Sequence, residues 1–227
     1  MVRYQRTLQY LAGVRGGMKE NNVLESGFLW ILLALVVWAV LHSVLASHSI
    51  KNLVSRLLGQ RFYRRFYRLF FNLVGVITFA PVLLLVWALP DQLIYAIPFP
   101  WVILTLLIQG AGISLLLGAV SQTGAAHFLG LEQLVNPGVE GAPRNFVSSG
   151  LYGIVRHPIY TASLLFLWLL PIMTWNLLAL NLGATLYFYV GAIFEERKLM
   201  REFGETYARY KRETPMLVPG LKVKSRE

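Results

Sequence analysis

"PIYTASLLFLWLLPIMTWNLLALNLGATLYFYVGAIFEERK", residues 158–198, holds two apolar runs, 159–170 and 177–194, separated by "PIMTWN". Proline ends a helix and asparagine favours a turn, so Pro171 and Asn176 bracket a reversal and the segment reads as a helical hairpin. Outward from it, three longer apolar runs occupy 27–47, 69–89 and 97–121. Each matches the roughly 20 residues that a helix needs to cross the hydrocarbon core. Run 27–47 is too long for a cleavable signal peptide, and no small-residue cleavage pattern follows it.

The expected fold is all-α: a multi-pass integral membrane helical bundle of about five transmembrane helices with a C-terminal amphipathic helix. Composition agrees, with 56% hydrophobic and 14% charged residues in a chain of 227. Residues 1–121 read as an N-terminal transmembrane region of three spans. Residues 122–227 read as a C-terminal cofactor-binding region of loop, hairpin and amphipathic helix.

The charge balance sets the orientation. Lys and Arg total 21 against 11 acids, a formal net charge of +10. Beside long apolar runs this excess indicates a cytoplasmic membrane face rather than nucleic acid. Segments 48–68, 122–159 and 197–227 carry the basic residues, whereas 90–96 and 171–176 carry none. The positive-inside rule therefore puts the C-terminus in the cytosol of what reads as a bacterial inner membrane, with Arg3, Arg6, Arg15 and Lys19 on the minority side. The tandem "RFYRRFYRLFF" suits headgroup depth, where arginine meets lipid phosphate. No cysteine is present, and His42, His48, His127 and His157 have no metal-ligand spacing, so no metal is expected.

Three features carry chemistry. A Gly- and Pro-rich connection, 122–158, ends in Arg156-His157-Pro158. Proline suits the first helical position, so a helix starts at Pro158, and its free N–H groups and dipole make an anion site beside Arg156 and His157. At the far end of the hairpin, Glu195 and Glu196 close an apolar helix; they lie about 100° apart, so only one points squarely into the bundle. Downstream, Phe203, Tyr207 and Tyr210 fall on one face of an amphipathic helix.

Each feature alone has a plain reading: a headgroup anchor, a helix end meeting water, an interfacial helix. Together they suit a ligand with a carboxylate, an ammonium, a cationic centre and a ring. S-adenosyl-L-methionine carries all four. The expected cofactor contacts are Tyr152, His157, Pro158, Tyr160, Glu195, Glu196, Tyr207 and Tyr210, with cation–π attraction at the sulfonium. Arg156, Arg197 and Glu196 are the expected catalytic group, the cations favouring an ionised acceptor.

The motifs "GLYGIVRHPIY" and "EERKLMREFGETYARYKRETPMLVP", with the hairpin between them, resemble the isoprenylcysteine carboxyl methyltransferase-like superfamily, which includes phospholipid methyltransferases and NnrU-type proteins. "FLGLEQL", "LPIMTWNLL" and "HSVLAS" look most like its methanethiol S-methyltransferase branch. The resemblance implies a membrane methyltransferase using S-adenosylmethionine, with a small or lipophilic acceptor, most simply a thiol. Isoprenylcysteine carboxylate or phospholipid acceptors, a membrane reductase and a non-catalytic accessory protein are the competing expectations. Thr161-Ala162 stands where many members carry glycine.

Overall fold

The computed structural model describes residues 23, 26–139 and 146–221. Arg3, Arg6, Arg15, Lys19, Arg144, Lys222, Lys224 and Arg226, all counted in the orientation argument, lie outside the described residues. In chain order the elements are α1 (Phe28–Ala46), α2 (His48–Leu58), α3 (Gln60–Ala88), β1 (Leu93–Ala96), α4 (Trp101–Gln122), α5 (Ala125–Leu129) and α6 (Leu131–Val135). A 3-10 turn at Pro137–Val139, α7 (Leu151–Ile154), α8 (Pro158–Trp168), β2 (Ile172–Thr174), α9 (Trp175–Phe203) and α10 (Glu205–Glu213) complete the list.

The architecture is an all-α membrane bundle. Among the described residues, α1, α3, α4 and α9 are long and apolar enough to cross a bilayer. Neighbouring helices pack in the order α3, α1, α9, α8, α4, so the C-terminal hairpin is flanked by helices from the N-terminal half. Ile31, Leu35, Val82, Ala179 and Leu180 form the buried core where α1, α3 and α9 meet. Gly183 allows that contact: a Cβ there would lie 2.5 Å from Leu35 Cδ1.

The fifth expected pass is not a full-length helix. α8 has 11 residues, a rise of about 16 Å, against a hydrocarbon core of about 30 Å. After a turn at Leu169 the chain bends at Pro171 into the three-residue β2, which pairs antiparallel with β1. Ile97 N–H also donates to Pro171 O at 2.8 Å, and Trp175 N–H to Gln92 O at 3.1 Å. The two connections without Lys or Arg are thus bound to each other at one end of the bundle.

A helix ending inside an apolar bundle leaves carbonyls without intrahelical partners. Here side chains from its neighbours supply them. Gln109 Nε2 of α4 donates to Phe166 O at 3.0 Å, and Asn181 Nδ2 of α9 to Leu167 O at 3.0 Å. Both side chains are buried. Two polar residues inside apolar runs thereby permit the short α8.

The sequence reads 48–68 as a basic connection, but the chain forms α2 and the first turns of α3 there. Ser47 caps α2, accepting from Ile50 N–H at 3.4 Å. Gly59, at φ +84°, turns the chain into α3, which carries the Arg-aromatic tandem as helix. Connection 122–158 is likewise partly helical. Arg68 and Asn72 hold α5 to α3 by donating to His127 O and Phe128 O, each at 3.0 Å.

Replacing Asn181 by leucine keeps the volume and leaves Leu167 O without its donor. The expected loss is about 1–3 kcal/mol, the cost of an unsatisfied buried carbonyl. It is measured as a lower melting temperature in detergent, whereas Leu186→Ala, on an exposed position, leaves the melt near wild type.

Candidate active site

Pro158 opens α8 at its first position, as its missing N–H allows. The hairpin brings that helix start against α9 about two turns before its end. The helix runs past the two acids to Phe203 rather than closing at them, and Arg156 and His157 there meet Glu195 and Glu196. The two carboxylates then part ways. Glu196 is buried, its side chain 6% exposed, while Glu195 is 48% exposed. This matches the expectation that only one of the pair faces the bundle.

Glu196 is saturated. Arg156 Nε donates to its Oε1 at 2.6 Å, Lys211 Nζ of α10 reaches its Oε2 at 2.9 Å, and His157 Nε2 stands 3.4 Å from Oε1. Arg156 is committed as well, its Nη1 donating to the carbonyls of Lys211 and Thr214. A carboxylate buried with one cation removed costs about 3–5 kcal/mol, so this cluster fixes α8, α9 and α10 together.

Glu195 keeps more freedom. Its Oε2 accepts from the Tyr160 hydroxyl at 3.1 Å and lies 3.5 Å from His157 Nδ1. The His157 and Tyr160 rings stack at 5.3 Å, nearly parallel, and Tyr160 stacks on Phe188 at 5.1 Å. Both nitrogens of His157 therefore face carboxylate oxygens, an arrangement that only the doubly protonated imidazolium satisfies fully. Burial alone would lower the His157 pKa; the hydrogen bonds and charges of Glu195 and Glu196 outweigh it, and the net shift is upward from 6.5.

Three tyrosines complete this end. Tyr210 donates to Tyr152 O at 2.6 Å, tying α10 to α7. Burial, then the charge of Glu195, pushes the Tyr152 hydroxyl up to about 12. Tyr207 and Tyr210 are also shifted upward, chiefly by burial, so all three are neutral donors at physiological pH. Tyr207 is 1% exposed. Its hydroxyl is buried without a hydrogen-bond partner, a group that a ligand atom would satisfy.

Of the sequence-derived candidates, Tyr152, Arg156, His157, Pro158, Tyr160, Glu195, Glu196, Tyr207 and Tyr210 are gathered at this end of the hairpin. Arg197 is not part of the cluster: its guanidinium lies over the Phe194 ring, 5.5 Å from the centroid, on an exposed stretch of α9. Sequence reasoning missed Lys211, which reads as one more base on an amphipathic helix but is the second cation on Glu196. It also missed Phe146, which packs on Phe203, Tyr207 and Tyr210. An apolar groove of about 550 Å³ between α1 and α3, lined by Trp30, Val37, Trp38 and Leu41 among others, shares no residue with the polar cluster.

The residues fit S-adenosylmethionine by donor chemistry. Glu195 offers a half-exposed acceptor for an ammonium. The first-turn N–H groups of α8 suit a carboxylate, and Tyr207 supplies an unpaired hydroxyl.

Residues 107–206 match the family model described as Phospholipid methyltransferase. The chain is 31% identical over 227 residues to Methanethiol S-methyltransferase 1 of Bradyrhizobium diazoefficiens, covering 94% of this chain and 77% of that protein. It is 31% identical over 198 residues to the Methanethiol S-methyltransferase of Pseudomonas deceptionensis, covering 84% and 72% respectively. With the Methanethiol S-methyltransferase of Mycobacterium tuberculosis it shares 44% identity over 69 residues, 30% of this chain and 28% of that one. No solved structure matches.

The raised His157 pKa fixes a sign. Its contribution to stability is fully present below the unfolded value of 6.5 and is lost as pH rises through the higher folded value. The melting-temperature difference between wild type and His157→Gln should therefore be largest in mildly acidic buffer and shrink as pH increases. Glu196→Gln, which strands Arg156 and Lys211, should cost about 3–5 kcal/mol of stability, far more than Glu195→Gln in the same melt.

Proposed function

Because this chain belongs to the family of membrane methyltransferases that contains the methanethiol S-methyltransferases, we propose that it moves a methyl group from S-adenosylmethionine to a small apolar thiol. We place the reaction at the cytosolic face of a bacterial inner membrane, where the basic connections collect. The observation that carries this reading is the division between the two carboxylates. Glu196 is consumed by Arg156 and Lys211, while Glu195 is held in place by Tyr160 and His157 yet stays half exposed.

When bound, S-adenosylmethionine supplies an electrophilic methyl group on a sulfonium with a good leaving group. The chain's part is orientation and exclusion of water. Glu195 would hold the ammonium of the methionine portion, and the start of α8 at Pro158 its carboxylate. Tyr160, with Tyr152, Tyr207 and Tyr210 around it, would present ring faces and hydroxyls. His157 fixes the direction of Glu195 rather than meeting the ligand carboxylate, because both of its nitrogens already face acids. Arg156 acts in the same way through Glu196. Arg197, which has no carboxylate partner among the described residues, is the cation proposed to attract an anionic acceptor.

Arg156 is neutralised by Glu196, so it gives an acceptor thiol little help in ionising. The rate of a thiol methyltransferase built this way should climb between about pH 7 and pH 9 as thiolate accumulates. The match to the phospholipid methyltransferase model favours one second reading, a lipid amine acceptor.

Calorimetry with S-adenosylhomocysteine tests the cofactor reading: Glu195→Gln should weaken binding about 10- to 100-fold, as expected for a charged hydrogen bond, in protein that melts near wild type. Unchanged affinity would overturn the role of Glu195. Absence of binding by the wild type would overturn the site. Supplying labelled S-adenosylmethionine with methanethiol or with phosphatidylethanolamine then separates the acceptors, and label in the lipid alone would replace the thiol.

A further inference from the structure

Residues 155–157 sit between α7 and α8 without regular secondary structure; His157 has φ −124° and ψ 65°. Neither a helix nor a sheet fixes the backbone that aims Arg156 and His157 at the two acids. A remote segment does so instead. Beyond α10, the chain doubles back, and the consecutive carbonyls of Thr214, Pro215, Met216 and Leu217 all accept from residues 156–161. Arg156 Nη1 donates to Thr214 O, Arg156 N–H to Pro215 O at 2.9 Å, His157 N–H to Met216 O at 3.2 Å, and the Thr161 hydroxyl to Leu217 O at 2.7 Å.

The last of these bonds is the informative one. A threonine within a helix ordinarily turns its single hydroxyl proton back to the carbonyl four residues earlier. Here that contact, to His157 O, is 3.1 Å and is the longer of the two. The shorter contact is the one to the strap. Pro215 offers no N–H of its own, and Thr214 and Pro215 are buried, so the strap serves this turn as a row of acceptors.

We propose that Thr161 is a positioning residue: its hydroxyl latches the strap 214–217 onto the Arg156–His157 turn, and so holds the imidazole between Glu195 and Glu196. This rests on the reading that Glu195 and the start of α8 receive S-adenosylmethionine. Thr161 meets no reacting atom; it acts through the strap and His157. Its side-chain shape is expected to matter less than its proton.

The test uses the full chain in detergent, with two readouts: S-adenosylhomocysteine affinity by calorimetry, and hydrogen exchange of the Arg156 and His157 amides by mass spectrometry. Thr161→Val keeps the shape and removes the donor. It should weaken binding about 5- to 10-fold, in line with one lost hydrogen bond, and speed exchange at both amides. Thr161→Ser keeps the donor and should stay within about twofold of wild type in both readouts. Wild-type affinity and exchange in Thr161→Val would overturn the proposal, and so would a Thr161→Ser protein as impaired as Thr161→Val. Should Thr161→Val not fold, the unaltered protein still decides: unprotected amides at Arg156 and His157 would mean that the strap does not hold the turn. A wild type that fails to bind S-adenosylhomocysteine overturns the cofactor reading, while amide exchange still judges the strap on its own.

Discussion

The buried carboxylate of Glu196 is the constraint on which the rest of this molecule depends. It is buried in α9 about two turns before the helix ends at Phe203, where an unpaired charge would cost several kcal/mol, and it is met by Arg156 from the turn before α8 and Lys211 from α10. One acid thereby joins three elements separated by up to 55 residues in the chain. The hairpin, the surface helix and the strap after it come to a common point because that charge must be neutralised there. Half-exposed Glu195 and the tyrosines packed around it inherit their positions from that junction.

The opposite end of the bundle solves a different problem with the same economy of polar groups. A helix too short to complete a pass leaves carbonyls in an apolar setting, and Gln109 and Asn181 each reach one. The β1–β2 ladder takes up the backbone beyond. These two ends hold α8 at a fixed height between α4 and α9, so that its first turn meets the acidic pair and its last turn is still satisfied.

Much of this was legible in the sequence, and what was missed has physical reasons. The three long apolar runs, the hairpin and the position of Pro158 follow from hydropathy and from proline's missing N–H, which are local properties. The shortness of run 159–170 is equally local, but what satisfies the last carbonyls of α8 is not, because Gln109 and Asn181 reach them from other helices. The convergence of Arg156, His157 and the acidic pair could be read from charges placed at the two ends of one hairpin. The division of labour between Glu195 and Glu196 could not, since it depends on Lys211, whose spacing in "YARYKRE" is that of an ordinary solvated face. Arg197, adjacent in sequence to the acids, is turned by the helix onto Phe194 instead.

The central claim is that the two neighbouring acids have separate duties, Glu196 as an internal counter-charge and Glu195 as the ligand's partner. An experimental structure with S-adenosylhomocysteine bound tests it most directly. The account predicts the ligand ammonium on Glu195, with Glu196 still held by Arg156 and Lys211. A structure in which Glu196 has left Arg156 to bind the ligand, or in which the ligand lies away from both acids, would contradict it.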